Sequence, residues 1–70
     1  MSYEHVIQRA KERLNLNLSE FDCDYIAQMI RDGESEPLSN NWHAIKYHNR
    51  IFKVVYSKRK KQISTVLPIS

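Results

Sequence analysis

Three side chains spaced four apart, His5, Arg9 and Arg13, are the residues of this chain best suited to chemistry. A histidine titrates near neutrality and can move a proton, while an arginine clamps phosphate oxygens in a two-pronged fork. Together they suit cleavage of RNA by its own 2′-hydroxyl, which needs a general base or acid and cations for the charge that develops at phosphorus. Four residues advance a helix by about 400°, so the three form a ridge that drifts slowly around one helix. The competing account is a solvated helix face on which Glu4 and Glu12 neutralise their neighbours. Lys53 is a second candidate, because it interrupts the apolar run "IFKVVY", where packing alone gives little reason for a charge other than a snorkelling stem. Trp42, Tyr47 and Tyr56 have the side chains that stack on bases, though most tyrosines on strands only pack.

Other constellations exclude themselves. His43 and His48 are five apart, which places them on opposite faces of a strand. Asp22 and Asp24 are two apart at a helix start, where they do not face each other and capping explains them. With one cysteine and no convergent donors, neither a metal nor a cofactor is expected. There is no glycine-rich phosphate loop, no Ser/His/Asp arrangement and no aromatic signature of an RNA-recognition motif.

Charge is divided along the chain. Residues 1–40 carry four cations and eight acids, net −4, whereas residues 41–70 carry seven cations and no acid, net +7. The seven are Lys46, Arg50, Lys53 and the run Lys58, Arg59, Lys60 and Lys61. Clustered cations release condensed counterions on meeting phosphates. A basic half therefore points to RNA as partner, with Lys46, Arg50 and the Lys58–Lys61 run as nucleic-acid contacts. A basic sheet balanced by acidic helices in the same molecule is the alternative.

These residues need elements to hold them. Ser2 is a candidate N-cap, and Tyr3, Val6, Ile7, Ala10 and Leu14 then form one apolar stripe, predicting a helix over about 3–14. Ser19 with Asp22 three residues later forms a weaker version of the capping box, Phe21, Tyr25, Ile26, Met29 and Ile30 form a second stripe, and Gly33 stops it, predicting a helix over about 20–32. "ESEPLSNN" reads as a polar connector that no helix crosses. "WHAIKY", "IFKVVYS" and "QISTVL" are rich in aromatic and β-branched residues, predicting strands over about 42–47, 51–57 and 62–67. "HN" supplies a tight turn between the first two because asparagine tolerates positive φ. The expected fold class is α+β, two helices packed on a three-stranded antiparallel sheet.

Seventy residues fit one domain, 1–70, whose core is small, since a chain this short buries roughly 60% of its unfolded surface. A shallow groove is expected rather than a deep pocket, with the chain a monomer or a homodimer. The lone Cys23 in an apolar helix pattern favours a reducing compartment, and no apolar run reaches a membrane span of roughly 18 residues. The expected location is the cytoplasm, with no membrane partner.

Taken whole, "YEHVIQRAKERLNLNLSEFDCDYIAQMI" followed by "YHNRIFKVVYSKRKKQISTVLP" resembles a family of small domains. In it a helix carrying H-x-x-x-R-x-x-x-R precedes a second helix and an antiparallel sheet ending in an apolar–Thr–apolar strand. It is similar to the RelE/BrnT toxins and the barnase–EndoU–colicin-like nucleases, common in toxin–antitoxin systems and phage proteins. The resemblance implies metal-independent RNA cleavage in a groove between the first helix and the open sheet face. On it His5, Arg9 and Arg13 match the helix motif, while Lys53 and Thr65 match polar positions of the last two strands. His5 then transfers protons, Arg9, Arg13 and Lys53 stabilise the phosphorane, and Thr65 positions an oxygen. The chain is shorter than most such toxins and lacks the C-terminal arginine or tyrosine that many use. The alternative is therefore a noncatalytic protein on the same fold, binding an antitoxin or a host factor.

Overall fold

The structure, a computed structural model, describes residues 3–69. Its elements run α1 (Glu4–Leu14), α2 (Glu20–Arg31), β1 (Glu36–Ser39), β2 (Trp42–Tyr47), β3 (Arg50–Ser57) and β4 (Gln62–Pro68). The fold is α+β, and the strands form one antiparallel sheet in chain order.

The apolar stripe of α1 buries Val6, Ala10 and Leu14. The expected cap, Ser2, lies outside the described residues. Tyr3 occupies the cap position without a side-chain bond of its own, and its backbone N–H donates to Glu20 Oε2 at 2.8 Å, so a carboxylate of the second helix serves the start of the first. Asn15 ends α1 in the left-handed conformation, φ 52°. In α2 both halves of the capping box form: Asp22 N–H donates to Ser19 Oγ at 3.2 Å and Ser19 N–H to Asp22 Oδ2 at 2.8 Å. Gly33, at φ 78°, closes that helix while Glu34 N–H returns to the Met29 carbonyl.

The sheet has four strands rather than three. Glu36–Ser39 pairs with β2 (Glu36 with Ala44, Pro37 with His43), and the register skips at Leu38. It is a short, fully exposed edge strand, where a proline that cannot donate is tolerated. Its strand character comes from pairing, which its polar composition does not announce. The β2–β3 link is a two-residue turn, with His48 and Asn49 both at positive φ (52° and 61°), the mark of a type I′ hairpin.

Alternation in β3 resolves cleanly: Phe52, Val54 and Tyr56 face the helices and are buried. In β4 the buried residues are Ile63 and Val66, three apart, which strict alternation cannot deliver. Val55 pairs with Thr65 and Tyr56 with Ile63, so Ser64 is left over as a β-bulge. The extra residue lets both apolar side chains enter one core and turns Thr65 to the opposite face. That core joins Tyr3, Val6, Ala10 and Leu14 to Cys23, Ile26, Ile30, Ile45, Phe52 and Val54, with α1 lying chiefly against β4. No helix of the described residues is long and apolar enough to cross a membrane.

Candidate nucleic-acid interface

Arg13 and Thr65 meet across 52 positions of sequence. Arg13 Nη1 donates to Thr65 Oγ1 at 3.4 Å and to the Val66 carbonyl at 3.2 Å. Because β4 is an outer strand, that carbonyl belongs to an open sheet edge, and the guanidinium covers it. Pairing of Lys53 with Leu67 and of Val55 with Thr65 makes Lys53 and Thr65 diagonal neighbours on the face away from the helices, about 7–8 Å apart. On the other side of β3, Trp42 pairs with Val55, and Lys53 Nζ stands 5.2 Å from the centroid of the Trp42 ring. Arg13, Thr65, Lys53 and Trp42 thus form a line from the β4 edge to β2. Around it Ala44, Val55 and Leu67 are half-buried, and Ile51 is exposed. No described element covers this face. The strands β2, β3 and β4 contain no acid, and the register places Glu36 of β1 at the face's far edge.

The other sequence candidates lie elsewhere. His5 is exposed and makes no hydrogen bond or ion pair among the described residues. Arg9 is engaged with Glu12, Nη1 to Oε1 at 3.1 Å. The ridge begins beside the β4 edge at Arg13 and continues along α1, on the helix side of the sheet, whereas Lys53 lies on the open side. Of His5, Arg9, Arg13, Lys53 and Thr65, the fold bonds Arg13 to Thr65 and sets Lys53 diagonally beside Thr65, leaving His5 and Arg9 apart. Nor do the seven cations of the basic half form one patch. Lys46 and Arg50 flank the β2–β3 turn, and Lys58–Lys61 form the β3–β4 turn at the opposite end of β3. Arg50 is committed to the Leu14 carbonyl through Nη2. Lys61 is in the left-handed region at φ 57°, its N–H bonded to the Ser57 carbonyl and its own carbonyl accepting from Arg31. Of the three candidate stacking rings only Trp42 faces outward from the open side. Tyr56 is buried against the helices, and the Tyr47 hydroxyl donates to Asp22 Oδ1 at 2.6 Å.

Two polar pairings escaped the sequence pattern. Ser35 Oγ lies 2.9 Å from His43 Nδ1, and the His43 ring meets Tyr56 edge-on. Burial, reinforced by Lys58, holds the His43 pKa below the ordinary histidine value, so the ring is a neutral pin between the loop after α2 and β2. The second is Asp22, whose pKa is lowered chiefly by the Tyr47 hydroxyl and then by Ser19 and His48, against the opposing effect of burial. Both pairings depend on how the hairpins fold back, and no spacing rule signals them. Among the described residues no three His, Cys, Asp or Glu side chains converge as metal donors, and none encloses a cavity.

Taken together, fold and site define a small α+β domain with a layer of helices on one sheet face and a basic, partly apolar open face on the other. Compared with protein-family models, curated proteins and solved structures, the chain matches none.

Proposed function

We propose that the protein binds single-stranded RNA across the open sheet face, in the cytoplasm, with Arg13 and Lys53 holding a phosphate, Thr65 donating to it, and Trp42 offering its ring to a base. The observation that carries this is the line Arg13–Thr65–Lys53–Trp42 on strands free of acid. Arginine supplies the planar fork, lysine a compact charge, and the indole a stacking surface indifferent to base identity. Lys46 and the exposed cations of the β3–β4 turn extend the positive field to either side of that line, along the strands, and steer the RNA toward it.

The finer proposal is metal-independent cleavage by a RelE/BrnT-like endoribonuclease of toxin or phage type. The 2′-hydroxyl attacks the adjacent phosphorus, the bond to the 5′-oxygen breaks, and a cyclic phosphate results. His5 takes the proton from the attacking 2′-hydroxyl and, as imidazolium, returns it to the leaving 5′-oxygen. In this reading the scissile phosphate lies along α1, around the β4 edge from the phosphate at Lys53, where Arg9, once released from Glu12, and Arg13 offset the charge on the phosphorane.

The test uses a fluorescent single-stranded RNA in EDTA, followed by anisotropy for binding and by gel for cleavage. Binding that falls steeply with salt, together with strand scission lost in His5→Ala, is the outcome expected. Salt-dependent binding with intact RNA removes the cleavage step and leaves the binder. RNA that neither binds nor breaks removes both, and leaves a protein-binding role on the same fold.

A further inference from the structure

On the opposite side of the sheet, the outer surface of α2 carries a feature that RNA binding does not use. Phe21 is 74% exposed and Tyr25 47%, unusually open for large rings one turn apart on a short helix. Their rings stack, with centroids 6.4 Å apart and planes 11° from parallel. Tyr25 then meets Tyr47 at 5.6 Å, and Tyr47 meets His48 at 4.2 Å. Four rings therefore run as one strip from the first turn of α2 to the β2–β3 turn.

The strip has a firm base. Tyr47 is tied to Asp22, and Asp22 is tied in turn to Ser19 through the capping box, so helix and hairpin hold the rings in fixed relation. Its α2 end is acidic, with Glu20, Asp22 and Asp24 interleaved in sequence with Phe21 and Tyr25 over the first two turns, while Lys46 and Arg50 flank its far end at the β2–β3 turn. Phosphate is repelled at the α2 end, where Phe21 and Tyr25 stand. Two copies meeting face to face through this strip would oppose the same three carboxylates. The charge fits a cationic ligand, and the rings narrow the choice to one that gains from aromatic faces.

We propose that this strip docks an arginine-bearing segment of a partner protein. A guanidinium stacks on Phe21 and Tyr25 while its edge donates to the exposed Asp24 or to the Glu20 oxygen not engaged with Tyr3. Lysine gains less, because its compact, strongly hydrated ammonium lacks the planar stacking face. Since the strip and the open sheet face lie on opposite sides, the partner segment and RNA held on the open face bind independently.

The experiment titrates the full chain with three short synthetic peptides, in which glycine and serine separate arginines, lysines or glutamates, and follows backbone amide shifts by NMR. Expected are shifts confined to residues 20–25 and 47–48 with the arginine peptide, weaker binding of the lysine peptide and none of the glutamate peptide. Phe21→Ala and Tyr25→Ala should each weaken the arginine peptide about fivefold at unchanged circular dichroism and RNA affinity. Phe21→Leu keeps the apolar area but lacks the π face, and should erase most of the preference for arginine over lysine. Three results overturn the proposal. Shifts spread over every acidic position and indifferent to Phe21 would mean general charge attraction. RNA-induced shifts at Phe21 and Tyr25 would assign the strip to nucleic acid. Concentration-dependent sedimentation abolished by Phe21→Ala would assign it to a second copy of the chain.

Discussion

The Tyr47 hydroxyl donates to the same Asp22 side chain that closes the capping box of α2, a 2.6 Å bond between residues 25 positions apart. One carboxylate thereby fixes both a helix start and the end of β2. Its pKa is lowered, so its contribution to stability is fully present above the unfolded carboxylate value of about 3.9 and is lost as pH falls through the lower folded value. Asp22→Asn should lower stability near pH 7 by about 1 kcal/mol, within the range of lost caps, and flatten the acid limb of the melting curve. Thermal unfolding by circular dichroism from neutral to strongly acidic pH checks both. An unaltered acid limb would show that the carboxylate's charge is not what joins these elements.

His43 should impose a second pH dependence at milder acidity. Its folded pKa is lowered by burial and by Lys58, so the unfolded chain takes up the proton first. Stability should decline as pH falls from the ordinary histidine value of about 6.5 toward the lower folded value. His43→Gln, which keeps a polar partner for Ser35, should remove that decline. Denaturant unfolding at neutral and mildly acidic pH, wild type against variant, measures it.

Cys23 is completely buried, and burial, aided by Glu20, Asp22 and Asp24, pushes its thiol up to about 12. A thiol reagent should therefore modify the native protein only as fast as the chain opens, and adding denaturant should accelerate labelling along the unfolding transition. Cys23→Ser places a hydroxyl in that apolar site and should cost about 1–3 kcal/mol if the hydroxyl stays unpaired. Rapid labelling under native conditions would contradict the buried placement.

Why some of this was legible from residues and some was not follows from where each signal resides. The helices announce themselves locally, through two apolar stripes, the Ser19–Asp22 box and Gly33. His48 and Asn49 mark their own turn. Strand β1 carries no such signal, because Glu36, Pro37 and Ser39 acquire strand geometry only by pairing with β2. The face of β4 was hidden by Ser64, since one bulged residue inverts everything beyond it. For the site, Lys53 stood out as a charge among apolar neighbours and Thr65 came from family resemblance, whereas their diagonal relation depends on strand register. Lys46 and Arg50 stand apart from Lys58–Lys61 because the eight residues of β3 separate the two turns by roughly 23 Å, a distance that charge composition does not carry.

Arg13 should matter to both the sheet edge and RNA, and two substitutions separate these roles. Arg13→Ala removes the donor to Thr65 and the Val66 carbonyl, leaving the β4 edge uncovered. It should weaken RNA binding and raise the tendency to self-associate through that edge. Arg13→Lys keeps the charge but not the fork, so it should preserve the salt dependence of RNA binding while still losing affinity. Anisotropy across a salt series, with light scattering for aggregation, distinguishes the two.

Lys53 separates a functional charge from a snorkelling stem. Lys53→Met keeps an unbranched apolar side chain beside Trp42 while removing the cation. A stem present only for packing would leave RNA affinity unchanged. A phosphate ligand would lose affinity several-fold, and the slope of log affinity against log salt would become shallower by about 0.7, the share of one phosphate contact on a single strand. Stability should hold or rise slightly, because Lys53 has no carboxylate partner among the described residues and the variant lacks a half-buried charge. Anisotropy with a single-stranded RNA over a range of salt, alongside thermal unfolding of the same variant, reads all three quantities. A slope identical to that of the wild type would remove Lys53 from the binding line and leave Arg13 and Thr65 to hold the phosphate alone.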